Sequence, residues 1–163
     1  MVVVRRKAPR TAAFLIPLLA ACTVPTAVGE WAGVDRVIDG DTLVLRDGER
    51  VRLLGLDAPE MGSGGASPEC FAPEAKAFLD VLVVEADGQL RLQLDEVEFD
   101  RYGRRLAYLW DRQGRMLNEE ILREGYARYY PAGHTVKWKE RLRVAEEEAR
   151  LSQRGLWHPD ACP

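Results

Sequence analysis

A chain of 163 residues with 47% apolar and 30% charged side chains has the length and composition of one compact globular domain, which excludes a disordered or collagen-like chain. Three cysteines are too few for a disulfide-built scaffold. A formal charge of −3 argues against a protein that coats nucleic acid through a broad basic face.

The chain opens with Arg5, Arg6, Lys7 and Arg10, followed by an apolar run from Ala12 to Ala21 and then Cys22, the layout of an export signal. The run is interrupted by Pro17 and falls well short of the ~20 residues of a membrane-spanning helix. Leu19-Ala20-Ala21-Cys22 resembles the lipobox of bacterial lipoproteins, in which the signal is cut before the cysteine and the cysteine sulfur is lipidated. Residues 1–21 are therefore expected to be a lipoprotein-type signal peptide, with Cys22 as the lipid anchor in a bacterial cell envelope. An ordinary signal peptide, giving a periplasmic or secreted protein, is the alternative, and both readings export the domain. Without residues 1–21 the chain loses four basic and no acidic residues, which leaves 19 basic against 26 acidic, a net of −7. Any contact with a polyanion must then be local. With Cys22 lipidated, Cys70 and Cys162 remain as a pair in an oxidising compartment, where a bridge between them is expected; two free thiols are the alternative.

Residues 22–29, small and uncharged after the cysteine, suit a tether, and the domain is expected over 30–163. From Ala32 to Leu56, apolar runs separated by Asp39-Gly40 and Asp47-Gly48 predict three strands in an antiparallel meander. Residues 57–68, with three glycines and two prolines, predict an exposed loop. Pro73 opens a predicted helix to about Glu85, with Ala75, Phe78, Leu79, Leu82 and Val83 on one face. Strands are predicted over Leu90–Val97 and Arg105–Trp110, then a short helix over Leu117–Glu124 stopped by Gly125. A last helix is predicted over Val136–Gln153, capped by Thr135, with Trp138, Leu142, Ala145 and Ala149 inward and Gly155 as its stop. Five short strands without βαβ alternation and about three helices predict an α+β fold dominated by a small barrel, of which the OB-fold is the nucleic-acid-associated form.

His134 and His158 are the two histidines, and neither a Cys-x-x-Cys nor a Gly-x-Ser-x-Gly motif is present, which argues against a zinc site and a serine nucleophile. Gly62-Ser63-Gly64-Gly65 lacks the Lys-Ser/Thr of a phosphate loop. The chemistry lies instead in acids and arginines at strand ends. Asp41 in the Asp39-Gly40-Asp41-Thr42 turn and Asp57 after the third strand are close enough in a barrel to share a cation, in an oxygen-only site suited to Ca²⁺ or another hard divalent ion. Strict strand alternation puts Arg52 and Asp57 on opposite faces, unless a twist or bulge near Gly55 intervenes. Arg52 and the arginines of Asp100-Arg101-Tyr102-Gly103-Arg104 have the planar fork that matches phosphate oxygens.

Val37-Ile-Asp-Gly-Asp-Thr42, Arg52-Leu-Leu-Gly-Leu-Asp-Ala-Pro-Glu60, Asp100-Arg-Tyr-Gly-Arg104, Asn118 through Gly125-Tyr-Ala127, and Gly155-Leu-Trp157 resemble, in order and spacing, the thermonuclease family typified by staphylococcal nuclease. The resemblance implies an OB-fold barrel and Ca²⁺-dependent hydrolysis of DNA and RNA to 3′-phosphates. It further implies Asp41, Asp57 and the Ala58 carbonyl as metal ligands, Arg52 and Arg104 on the scissile phosphate, and Glu60 at the attacking water. Tyr102 would contact a terminal phosphate and Tyr129 or Tyr130 a base. Ala58 stands where the family has threonine, and the chain is acidic where the type member is basic. The expected protein is a monomeric exported phosphodiesterase acting on single strands or frayed duplex. The alternatives are an OB-fold lipoprotein that binds oligonucleotides without cutting them, and a structural envelope lipoprotein.

Overall fold

Two Asp-Gly turns organise the first half of the domain. The computed structural model describes residues 29–131 and 137–162; the expected signal segment, Cys22, His134 and the predicted cap Thr135 lie outside the described residues. Strand β1 (Glu30–Asp39) turns through Gly40-Asp41 into β2 (Thr42–Leu45), and β2 turns through Asp47-Gly48 into β3 (Arg50–Leu53), both pairs antiparallel as predicted. A two-residue strand β4 (Leu56–Asp57) follows, then helix α1 (Ala72–Glu85), β5 (Gln89–Gln93), β6 (Arg105–Trp110), α2 (Leu117–Arg123), β7 (Arg128–Tyr129) and α3 (Lys139–Leu151). The last element among the described residues is a one-turn 3-10 helix over Gly155–Trp157.

The barrel closes in the order β1-β2-β3-β6-β5, the five-stranded barrel of an OB-fold, so the α+β expectation holds. Strand β1 serves two neighbours: Glu30 to Gly33 pair with β5, and Val34 to Asp39 pair with β2 across two register shifts. Bulges of this kind bend a long strand and let it pass from one sheet to the next. The core is formed by Leu43, Val51, Leu79, Leu90, Tyr108, Leu109, Met116, Ile121 and Leu122, all fully buried. Helix α1 covers one side through Ala75, Leu79 and Leu82, the face that its periodicity predicts. Helix α2 ends at Gly125, whose φ is 76°; the Tyr126 N–H donates to the Ile121 carbonyl at 2.9 Å and the Gly125 N–H to the Leu122 carbonyl at 3.0 Å, a Schellman cap.

Several boundaries differ from the sequence reading. The third strand does not run to Leu56, because Gly55 adopts a φ of 80° and turns the chain off the barrel. The residues after it form β4, which pairs with β7 in a two-stranded sheet that no hydrophobic alternation foretold. Strand β5 stops at Gln93 rather than Val97: β1 begins at Glu30 opposite Leu92, pairing with β6 ends at Gln93 opposite Tyr108, and Asp95 instead accepts a hydrogen bond from the Tyr108 hydroxyl at 2.7 Å. Helix α3 starts at Lys139 with Trp138 at its N-cap, and its inward residues are Leu142, Ala145 and Ala149. The half-buried Trp138 stays outside the helix, where its indole N–H donates to Gln93 at 2.9 Å. Cys70 and Cys162 are joined by a disulfide with Cα atoms 5.8 Å apart, across 92 residues of chain.

Two buried polar groups, one facing the barrel and one facing α3, hold α2 in place. Asn118 is fully buried: its Oδ1 accepts the Leu109 N–H at 2.8 Å, and its Nδ2 donates to the carbonyls of Leu54 at 2.8 Å and Ala107 at 3.3 Å. Glu119 accepts from Arg123 at 2.6 Å and from Arg141 Nε at 2.8 Å, joining α2 to α3. Burial alone would push the Glu119 carboxyl up, but the Arg141 and Arg123 guanidinium groups outweigh it and hold it below its ordinary value.

Replacing Asn118 by Ala leaves buried backbone groups unpaired and is expected to lower stability by about 2–3 kcal/mol in urea denaturation, a loss under ~0.5 kcal/mol being incompatible with this account. For Glu119, a depressed folded-state pKa gives stability that is present above the unfolded value and lost as pH falls through the folded one. Glu119→Gln is therefore expected to be less stable than wild type at pH 7 and to lose less stability between about pH 5 and pH 3, as measured by urea midpoints across that range.

Candidate active site

The Asp39-Gly40-Asp41 turn is pressed against two other elements. A Cβ on Gly40 would lie 2.7 Å from the Ala58 Cβ and 2.8 Å from the Ala75 Cβ, so only glycine lets the turn approach both the strand exit and α1. Asp41 is thereby buried with both carboxylate oxygens engaged: Oδ1 accepts the Thr42 hydroxyl at 2.9 Å, and Oδ2 accepts the Ala58 N–H at 2.8 Å and contacts Arg52 Nη1. The other end of the same guanidinium donates from Nη2 to Asp57 Oδ1 at 2.7 Å. Arg52 and Asp57, on opposite faces by strict alternation, meet because the turn at Gly55 resets the pleat between them. Burial lowers the pKa of the Arg52 guanidinium, with Asp57 opposing that shift.

Asp39 was not singled out as a site residue by sequence, because an aspartate in an Asp-Gly turn is ordinarily a turn former. It is buried, accepts the Asp41 N–H at 3.1 Å and lines the same cavity as Glu60, Arg50 and Arg104. Burial pushes its carboxyl above the usual range despite the nearby Arg52 charge. Glu60 is raised as well, by burial first and then by the charges of Asp39 and Asp57. Asp100 is a second residue with an unassigned role. It accepts the Arg104 Nε at 2.7 Å and the backbone N–H groups of Tyr102 and Arg104 at 2.8 and 2.9 Å. Burial works against ionisation of Asp100, but these hydrogen bonds prevail and hold its carboxyl below the usual carboxylate range.

Arg104 stands between two cavities. One holds Asp39, Arg50 and Glu60, and the other is an open cleft lined by Arg52, Phe99, Tyr102 and Tyr130 among others. Tyr102 is 68% exposed, with the guanidinium carbons of Arg101 and Arg104 at 4.7 and 5.4 Å from its ring centre. Tyr130 is 55% exposed in the same cleft. Tyr129 is half-buried and does not line this cleft; its backbone pairs with Leu56 and its N–H donates to Glu146 at 2.8 Å. Asp41, Arg52, Asp57, Ala58, Glu60 and Arg104 thus gather at one edge of the barrel, with Tyr102 and Tyr130 beside them.

Among the described residues no three carboxylate, imidazole or thiol side chains form a ready-made ion cage. Two carboxylates, Asp41 and Asp57, nevertheless converge on one guanidinium, and Ala58 is held in place by its hydrogen bond to Asp41. The side chain of Asp57 is 57% exposed and so has a face open to solvent. This donor set contains oxygen and no sulfur or imidazole, the chemistry that hard divalent cations take. Burial and the charges of Asp39 and Asp57 raise the Glu60 carboxyl, and a divalent cation would offset those charges.

Residues 50–159 match the family described as staphylococcal nuclease homologue. A thermonuclease of Staphylococcus hyicus is 35% identical over 127 residues, covering 76% of this chain and 73% of that protein. A thermonuclease of Staphylococcus intermedius is 36% identical over 134 residues, covering 79% and 77%. An endonuclease of Bacillus subtilis is 28% identical over 163 residues, which span 92% of this chain and 13% of the longer protein. A five-stranded barrel with acids and arginines gathered at one edge, a family match across most of the domain, and two thermonucleases each covered over more than two thirds of their length lead to one assignment: the chain belongs to the staphylococcal nuclease family.

Proposed function

We propose that this nuclease hydrolyses phosphodiester bonds of DNA and RNA with bound Ca²⁺ and leaves 3′-phosphates. The observation that carries the reading is the pair Arg52 and Arg104 lining one open cleft, with Glu60 in the adjoining cavity that Arg104 also lines. Asp41, Asp57 and the Ala58 carbonyl are the residues assigned to hold the ion. Bound there, a divalent ion supplies charge neutralisation and Lewis-acid polarisation of a phosphoryl oxygen.

The chain's own residues do the rest. Arg52 is oriented by Asp41 and Asp57, and Arg104 by Asp100, so both forks are aimed before a phosphate arrives. Donors fixed in advance stabilise developing charge without reorganising during the reaction. Glu60, which lines the cavity that Arg104 also lines and whose carboxyl burial holds above its ordinary value, is suited to take a proton from the attacking water. Tyr102 is assigned to a terminal phosphate. Of the two tyrosines considered for a base, Tyr130 has the exposed ring in the cleft, and exposed aromatic faces stack on unpaired bases. That favours single strands and frayed duplex. A cleft with its arginines, acids and tyrosines all present favours catalysis over oligonucleotide binding alone. Residues 1–21 are read as an export signal and Cys22 as a lipid anchor, which gives a monomeric enzyme acting in the cell envelope.

Plasmid and RNA cleavage is expected with Ca²⁺ and to stop in excess chelator; undiminished cleavage there removes the metal from the mechanism. Glu60→Gln and Arg104→Ala are each expected to slow cleavage by at least ~100-fold. Normal rates in both variants would mean that the assigned residues do not act here. Cys22→Ala is expected to move the protein from the membrane fraction to the soluble fraction. A wild-type protein that is wholly soluble, with a mature start other than Cys22, refutes the anchor and leaves export standing.

A further inference from the structure

The loop that begins at Glu60 is closed at its neck by two hydrogen bonds. The Glu60 N–H donates to Glu69 Oε2 at 3.0 Å, and the Glu69 N–H donates to the Glu60 carbonyl at 2.9 Å. Between them run Met61 to Pro68, in which Gly62, Gly64 and Gly65 have positive φ and every residue after Met61 is exposed. Such a segment has no core of its own to hold its ends together. The placement of Glu60 therefore depends on the neck.

Cys70 follows Glu69 directly and is bonded to Cys162. The far side of the bridge is itself tied down, because the Leu156 N–H donates to the Gly125 carbonyl at 2.8 Å and joins the chain end to the end of α2. Beyond Cys70, Phe71 lies 5.4 Å from the Tyr126 ring and Phe78 stacks on that ring at 4.2 Å, so the start of α1 is held without the bridge. Opening the disulfide thus removes one of two tethers on the Glu69 side of the neck, the other being the Ala72 N–H that donates to the Glu69 carbonyl at 3.1 Å, and leaves α1 and the barrel packed.

We propose that Glu69 is a positioning residue for Glu60, and that the Cys70–Cys162 disulfide makes this positioning redox-dependent, so that the nuclease is fast when oxidised and slow when reduced. The inference rests on the reading of Glu60 as the group that handles the attacking water. In the switch, a dithiol reductant gives two electrons to the Cys70–Cys162 bond; the S–S bond breaks, two protons are taken up to form two thiols, and the dithiol closes to its own disulfide. A chain held in a reducing compartment stays slow, and one exported to an oxidising compartment becomes fast.

The test uses the full chain carrying Cys22→Ala, so that Cys70 and Cys162 are its remaining cysteines. Oxidised protein is compared with protein reduced by dithiothreitol, and with Glu69→Ala, Glu69→Gln and the double variant Cys70→Ser/Cys162→Ser. The substrate is single-stranded DNA with Ca²⁺, at a temperature where circular dichroism shows each form folded. Reduction, the double serine variant and Glu69→Ala are each expected to lower kcat about 10- to 100-fold. KM should stay within about twofold, because Arg52 and Arg104 lie outside the loop. Glu69→Gln keeps an oxygen that accepts the Glu60 N–H and should retain most of the rate. Reducing Glu69→Ala should cost nothing further, since both changes act through one neck. Exchange of the Glu60 amide hydrogen, followed by NMR without metal or DNA, should accelerate on reduction and in Glu69→Ala. Unchanged kcat and unchanged amide exchange on reduction overturn the switch, and multiplicative losses overturn the shared route through Glu69. If the oxidised protein shows no Ca²⁺-dependent cleavage, the functional reading fails instead, and amide exchange still decides whether the bridge holds the neck.

Discussion

The place where the chain leaves the barrel is held by one buried side-chain amide, and the site depends on it. Strands β3 and β6 run parallel over three paired positions, Val51 with Arg105, Arg52 with Leu106 and Leu53 with Ala107. Asn118 extends that seam from α2, accepting from Leu109 and donating to Leu54 and Ala107 where backbone pairing runs out. A buried carbonyl left unpaired at this point would cost more than the hydrogen bond itself contributes, so the exit is well determined. With Leu54 held, the turn at Gly55 sends Asp57 and Ala58 back towards Asp41, and the Ala58 N–H closes the contact at 2.8 Å.

The arginines of the cleft are arranged by carboxylates rather than by an overall positive field. The chain carries a formal charge of −3, yet Arg52 and Arg104 each have acidic partners that fix their direction, Asp41 and Asp57 for the first and Asp100 for the second. Each guanidinium is largely withdrawn from water, where an unpaired charge would be costly, and the acids make that withdrawal tolerable. An acidic nuclease can therefore still present two guanidinium groups of fixed direction in one cleft. Long-range attraction of nucleic acid gains nothing from the total charge, so recognition falls to the cleft itself.

Buried and exposed parts of the site are divided along the same lines. The acids at the β1–β2 turn sit on the barrel and are buried, whereas Glu60 opens an exposed glycine-rich segment whose two ends meet through Glu69. The disulfide and the 3-10 turn at Gly155 bring the end of the described chain to that segment. Glu60 is thus carried at the neck of an exposed loop and steadied from outside the barrel.

Much of this was legible in the sequence, where the cause is local. Asp39-Gly40 and Asp47-Gly48 specify hairpin turns by their own backbone preference, Pro73 and the spacing of Ala75, Leu79 and Leu82 specify α1, and Gly125 specifies the end of α2. The motifs at Asp41, Arg52, Asp57, Glu60 and Arg104 carry the family resemblance in the sequence itself. Tertiary structure decided what no local rule contains. The pairing of β4 with β7 joins residues more than seventy positions apart through two-residue strands too short to show periodicity. The meeting of Arg52 with Asp57 depends on a single positive φ at Gly55, and the burial of Asp39 depends on a turn packed against Ala58 and Ala75. Residue type and spacing record turn chemistry and amphipathic faces, which act between neighbours in the chain; which carboxylate is buried and which guanidinium it meets is set by packing between distant segments, and so is decided only when the barrel closes.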